Sequence, residues 1–261
     1  MFKLLSEELH KPVRRKFPRR AVIVQGIDHV WSCDLVEMQE WMNKNDGYKY
    51  MLNIVDVLSK YAWSVPLKNK TAETVVDAFQ KVVTESKRKP SHVWVDEGGE
   101  FYNKLMDKWL ANNKINRYST HGDHKSANVE RFNRTLKTLM WKRFTAENTR
   151  RWIDMLPEIL KKYNTTVHSS TGMTPDEASK KKNEKVVWKT LYDYVKFVPN
   201  SKAKFKIGDI VRVSRWKGIF EKGFHPNWSE QLYRIDDVLL TNPITYRIKD
   251  FDDKFIEGTF Y

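Results

Sequence analysis

The hydrophobic rhythm of the chain changes several times. HVWSCDLVEM (29–38) alternates apolar and polar positions, which predicts a half-buried strand. YKYMLNIVDVLSKYAWSVPL (48–67) carries two β-prone runs around Leu58-Ser59-Lys60 and predicts a hairpin. The period then lengthens. Val75, Val76, Phe79, Val82 and Val83 share one helical face, with Thr71 as N-cap and Pro90 as the stop. SHVWVD (91–96) and INRYS (115–119) read as short strands. Between them EFYNKLMDKWLANN (100–113) predicts a helix with Phe101, Leu105, Trp109 and Leu110 inward. SANVERFNRTLKTLMWKRF (126–144) places Val129, Phe132, Leu136, Leu139 and Met140 on one stripe of a further helix. RRWIDMLPEILKKYN (150–164) predicts another. TPDEA (174–178) opens one more, with Thr174 as cap, Pro175 in the first turn and Glu177 closing a capping box.

This order of strands and helices predicts a mixed α/β core over residues 25–178. Residues 1–24 read as a basic N-terminal arm and 179–202 as a lysine-rich connector. From 203 to 261 the pattern becomes short alternating strands (FKIGDIVRVSRWKG, EQLYRIDDVLL, ITYRIKDFDDKFIEGTF) with turn residues between them, the signature of a small all-β barrel.

Charge sharpens the picture. The 261 residues carry a formal net charge of +14, and the cations cluster: HKPVRRKFPRR holds no acid. Clustered positive charge points to a polyanion, nucleic acid first, rather than to solubility alone. No apolar run is long enough to span a membrane, and the N-terminus has acids where a secretory signal would be apolar. The only cysteine, Cys33, excludes an internal disulfide framework and reads as a small strand filler in a protein of a reducing, intracellular compartment.

Three acids stand out against this basic background. Asp34 lies within the first strand, Asp96 ends a later one ahead of Gly98-Gly99, and Glu130 sits near the start of the 126–144 helix. Singly, each is an ordinary turn, cap or surface acid. Brought together, they would repel unless divalent cations relieved them, and hard carboxylate oxygens suit Mg²⁺ or Mn²⁺. A two-metal site activates an oxygen nucleophile and stabilises the leaving oxygen of a phosphodiester, which fits a basic chain. Glu130, Arg134 and Lys137 fall at i, i+4 and i+7, so they share one helix face.

At these residues the chain resembles a retroviral-type integrase of the DDE superfamily. WSCDL is similar to the strand with the first Asp, VDEGGEF to the segment with the second, VERFNRTLK to the helix with the final Glu, and YNTTVHSSTGMTPDEA to the segment closing the core. The tail KFKIGDIVRVSR resembles integrases of Maverick or Polinton-type transposable elements. The resemblance implies an RNase H-like catalytic core followed by an SH3-like or chromodomain-like barrel. It implies Asp34, Asp96 and Glu130 as catalytic and metal-binding residues for Mg²⁺ or Mn²⁺, and the joining of element DNA ends to target DNA. It implies DNA as partner, a homo-oligomer, a nuclear location and no small-molecule cofactor. Lys125, Arg134 and Lys137 stand where basic residues contact DNA ends. Two departures stand out: the interval from Asp96 to Glu130 is slightly shorter than usual, and only His10 and His29 precede the core, so the family's N-terminal zinc domain is not matched.

In the tail, Arg212, Arg215 and Lys217 form a basic edge that would bind backbone phosphate. His121 and His124 flank Asp123 in a loop expected to face substrate. Glu100 reads as a helix N-terminal acid, and Asp56 as structural. Trp31, Trp63, Trp94, Trp109 and Trp152 fit core or interface positions rather than base-stacking ones. Two other functions compete: a domesticated or inactive DNA-binding protein derived from such an integrase, and an RNase H-like nuclease. The HSSTGMTP segment and the basic tail favour integration.

Overall fold

The structure is a computed structural model that describes residues 2–13, 22–119, 127–193, 202–215 and 224–261. The chain divides into two compact units, Ile23–Tyr194 and Met1–Val22 with Val195–Tyr261. Helix α1 (Phe2–Leu9) belongs to the second of these.

The larger unit is built on a five-stranded mixed sheet of β1 (Val30–Glu37), β2 (Tyr50–Asp56), β3 (Ala62–Leu67), β4 (His92–Trp94) and β5 (Asn116–Tyr118), in the order β3-β2-β1-β4-β5. β1–β2 and β2–β3 pair antiparallel, and β1–β4 and β4–β5 pair parallel. Side-chain alternation sorts the two faces. Trp31, Cys33, Leu52, Ile54, Val93 and Val95 pack against α2 (Ala72–Ser86) and α3 (Lys104–Asn113). Val36, Met51 and Val55 pack against α4 (Ala127–Glu147) and α5 (Leu156–Thr165). The inward stripe of α4 is Val129, Phe132, Leu136, Met140 and Phe144. Phe132, Leu136 and Met140 are no more than 2% exposed, and burying each such side chain stabilises the layer by about 1.5–3 kcal/mol.

The capping box at Thr174 forms as expected at the head of α6 (Pro175–Ala178), and Thr71 caps α2 by accepting from the Thr74 amide. Three elements differ from expectation. The third helix begins at Lys104, not residue 100, because Asn103 caps it through the Met106 amide; Glu100 therefore lies in the preceding turn. Leu105 is exposed on that helix and Met106 takes the inward place. The fifth begins at Leu156, because Asn45 Oδ1 captures the amides of Trp152 and Ile153 and Pro157 suits only a first turn. Within the stretch read as a connector, α7 (Glu184–Tyr192) forms a helix of the larger unit. It buries Val187 and Tyr192, Trp188 Nε1 donates to the Val24 carbonyl, and Glu184 accepts from the Ile27 amide.

In the smaller unit, β6 (Ile210–Val211), β7 (Tyr233–Leu239) and β8 (Thr245–Lys249) form an antiparallel sheet around Ile235, Tyr246 and Ile248. Single bridges, Ser214 to Trp228 and Tyr246 to Phe260, extend it. The last turn of α1 is bound to this unit: the Leu9 carbonyl accepts from the amides of Asn227 and Trp228.

Candidate active site and nucleic-acid face

The parallel ladder between β1 and β4 aligns Val30 with His92, Trp31 with Val93 and Ser32 with Trp94. The ladder ends at that last pair, with Asp34 two residues further along β1 and Asp96 two residues beyond the end of β4. Side chains alternate across a sheet. Cys33 and Val95 point into the core under α2 and α3, whereas Asp34 faces α4, where Asn133 reaches it. Burial pushes the Cys33 thiol well above its ordinary range, and the Asp34 charge beside it adds to this. That suits a filler and not a nucleophile.

Asn133 joins α4 to this face. Its Nδ2 donates to Asp34 Oδ2 at 2.6 Å, and its Oδ1 accepts from Asn53 Nδ2 at 2.7 Å. Asn53 is the β2 partner of Asp34, is fully buried, and accepts from Ser64 Oγ at 2.5 Å. Asp34 Oδ1 accepts from the Leu35 amide at 2.9 Å. A hydrogen-bonded row thus runs from β3 through β2 and the helix to the candidate acid. Glu130 stands one turn before Asn133, exposed in the first turn of α4.

The donor chemistry of the three acids is that of a hard divalent cation. Among the described residues, however, no three His, Cys, Asp or Glu side chains gather closely enough to hold a metal ion. Asp34 lies on the face that α4 covers, α4 carries Glu130 in its first turn, and the three acids are not drawn into one group. Unpaired carboxylates repel one another, and Asn133 and the Leu35 amide engage both oxygens of Asp34. A Cβ at Gly98 would meet the Glu100 carboxyl carbon at 2.6 Å, so the missing side chain there leaves room for that carboxyl.

A second anchor fixes the start of α4. Lys60, at positive φ in the β2–β3 turn, donates from Nζ to the Val57 carbonyl at 2.7 Å and to Asn128 Oδ1 at 2.9 Å. Burial lowers its pKa to about 8, against the raising effect of Asp56. His168 is also held below its ordinary value, by burial first and then by the charges of Lys60 and Arg131. No local pattern marks the Lys60 and Asn133 anchors, although Asn133 sits inside VERFNRTLK.

Arg134 and Lys137 are exposed on α4, on the stripe that begins at Glu130. Arg215 is exposed in the smaller unit. Arg212 is placed otherwise than its expected role requires. Its side chain is only 10% exposed, it pairs with Glu8 at 3.1 Å, and it donates to the carbonyls of Ser229 and Glu230. Lys125 and Lys217 lie outside the described residues, as do His121, Asp123 and His124. Asp56 is structural, buried and hydrogen-bonded to Ser59 and Arg88. Among the described residues no helix is long and apolar enough to cross a membrane.

Several known proteins are similar to this chain. Residues 26–125 match the integrase core domain. A transposon-derived protein of Caenorhabditis elegans is 32% identical over 198 residues, covering 75% of this chain and 65% of its own length. The Pol polyprotein of a radiation murine leukemia virus is 26% identical over 253 residues, covering 84% of this chain and 42% of its own. The chain thus spans less than two thirds of either relative. The HTLV-2 integrase catalytic core, solved with magnesium, overlays with a TM-score of 0.50 at 20% identity, covering 62% of this chain and 100% of that one. A chain of the simian T-cell lymphotropic virus intasome, solved in complex with PP2A regulatory subunit B56 gamma, gives a TM-score of 0.60 at 16% identity, covering 95% of this chain and 82% of that one. These likenesses establish the fold of an integrase catalytic core.

Proposed function

We propose that the chain is a transposon-derived DNA integrase of the DDE type, affiliated with Maverick or Polinton-type elements, which joins element DNA ends to target DNA. The observation that carries the reading is the hydrogen bond by which Asn133, on the helix that bears Glu130, holds the Asp34 carboxylate of β1. The integrase core match over the segment containing both aspartates supports it.

In the reaction, a 3′ hydroxyl of element DNA attacks a phosphodiester of target DNA. One P–O bond forms, one breaks, and the departing oxygen takes a proton. Asp34, Asp96 and Glu130 would hold Mg²⁺ or Mn²⁺, which when bound supplies charge stabilisation to the attacking and leaving oxygens. The chain's own task is positioning. Asn133 orients Asp34, Lys60 fixes the first turn of α4, and Arg134 and Lys137 grip phosphates beside Glu130. Arg215 and Lys217 would add sequence-independent phosphate contacts from the smaller unit, which we take to be an SH3-like barrel. Assembly as a homo-oligomer on DNA in the nucleus belongs to the same reading; the HTLV-2 core has been solved in both trimeric and dimeric forms.

The test is strand transfer by the purified chain with candidate element ends and Mg²⁺ or Mn²⁺. Glu130→Gln keeps side-chain size and removes the charge, so joined product should fall to background while duplex binding persists. Equal product from the variant and the wild type would refute the assignment of Glu130. Binding without joining in both proteins would favour a domesticated DNA-binding protein instead.

A further inference from the structure

On the reading that DNA is the substrate, we propose that Trp141 is a stacking platform for an unpaired nucleobase near a DNA end, set beside the phosphate-gripping cations of α4. Trp141 is 40% exposed. Its ring packs edge-on against Trp41, with centroids 5.1 Å apart and planes at 75°, and against Phe144 at 5.2 Å. Trp41 is itself anchored. Its carbonyl accepts from Nδ2 of the fully buried Asn45, whose Oδ1 captures the Trp152 amide at 2.7 Å. The core therefore holds the indole of Trp141 in place while much of its surface stays open.

A single exposed tryptophan is unremarkable on a protein surface. The alignment of this one is informative. Glu130, Arg134, Lys137 and Trp141 follow one helical stripe, and Lys142 adjoins it. Between Glu130 and Glu147 the helix contains no acid. Arg143 is turned to Glu147 and Glu158, whereas no acid among the described residues forms an ion pair with Arg134, Lys137 or Lys142. An aromatic surface beside a row of cations complements a single-stranded nucleic acid, which offers a π-face and a phosphate at each step. Eleven residues at 1.5 Å rise set Trp141 about 16 Å from Glu130, roughly five phosphate spacings along a duplex strand. The stacked base is therefore not the reacting one. It must also be unpaired, because a base inside the duplex stack cannot offer its face. That describes a frayed or overhanging strand a few nucleotides from the reacting end, held without regard to sequence.

The experiment compares binding of the full chain, without divalent metal, to a blunt fluorescein-labelled duplex and to the same duplex with a short single-stranded tail. Wild type should prefer the tailed DNA by about tenfold, the scale of one base stacked on an aromatic ring. Trp141→Leu keeps apolar cover for Trp41 and should abolish the preference while leaving blunt-duplex affinity unchanged. Trp141→Phe should keep most of it. Four outcomes would overturn the proposal: no tail preference in wild type, a preference that survives in Trp141→Leu, equal losses on both DNAs, or an altered oligomeric state with the preference intact, which would assign Trp141 to protein contact. Because nothing reacts in this assay, failure of strand transfer leaves the result standing. Failure to bind any DNA would sink both this proposal and the substrate reading beneath it.

Discussion

Asn133 on α4 donates to the Asp34 carboxylate across 2.6 Å and accepts from the buried Asn53 in the same stroke. One side chain thus sets the height of a helix over a sheet and the orientation of a candidate catalytic acid. Asn133→Ala would leave the Asn53 amide without its partner in a fully buried place, at a cost of about 1–3 kcal/mol. Asn133→Asp keeps the shape but sets a carboxylate against Asp34. Its destabilisation should exceed that of the alanine variant at neutral pH and ease on acidification, because repulsion between two facing carboxylates makes one of them take a proton more readily than a lone acid does. Urea denaturation of both variants from neutral to acid pH checks this. A pH-independent deficit in Asn133→Asp would mean that the two groups do not face each other.

The strands β1 to β5, the faces of α2 and α4 and the capping box at Thr174 were legible because each rests on a local signal, whether alternation, a stripe or a cap, whereas the strand order depends on pairings that no local pattern encodes. The starts of α3 and α5 were not, because Asn103 and Asn45 override the apolar pattern by capturing backbone amides. The α7 helix was hidden by lysine content, although Val187, Leu191 and Tyr192 lie at helical spacing. At the candidate site, the sequence motifs marked Asp34, Asp96, Glu130, Arg134 and Lys137. They did not reveal Lys60 or Trp141, whose significance depends on Asn128 and Trp41, residues distant in the chain. The expectation for Arg212 followed charge alone and could not foresee Glu8, some two hundred residues away.

Lys60 ties the β2–β3 turn to Asn128, two residues before Glu130, and its pKa of about 8 makes the tie pH-dependent. The ordinary lysine value is 10.5. Below pH 8 the amine is charged in both folded and unfolded chains, and the folded state bears the cost of burying it. Between 8 and 10.5 the folded amine loses its proton first, so this cost disappears and stability rises by at most about 1.4 kcal/mol per pH unit. Tyr163, pushed up to about 12, acts in the opposite direction, but only above pH 10. Lys60→Met removes the titration. The stability of wild type relative to this variant should therefore climb from pH 8 to 10 in denaturant titrations, and parallel pH profiles would contradict the burial of Lys60.

Asn227 and Trp228 donate their amides to the Leu9 carbonyl, Asn227 Nδ2 reaches the carbonyls of His10 and Lys11, and Trp228 Nε1 donates to Lys11. The Leu9 carbonyl is an orphan acceptor of a helix end, and it and the two carbonyls that follow the helix are satisfied by another segment. Glu8 adds the ion pair with Arg212. The apolar centre of this unit is small, so such contacts weigh heavily. Each hydrogen bond contributes about 1 kcal/mol; the ion pair, with Glu8 half exposed, adds up to about 1 kcal/mol. Deleting residues 1–11 should therefore speed hydrogen exchange of β7 and β8 amides while β1 and β2 stay protected. Unchanged exchange in β7 and β8 would show that the tail folds without α1. The same contacts revise what the tail cations do on DNA. Arg215→Ala should shallow the log–log salt dependence of duplex binding by about 0.9, equally on unrelated sequences. Arg212→Ala should leave that slope unaltered at temperatures where the unit is folded, because its guanidinium is committed to Glu8 and two carbonyls. If Arg212→Ala shallowed the slope as Arg215→Ala does, Glu8 would be yielding its place to phosphate, and α1 would be a displaceable cover rather than a fixed part of the unit.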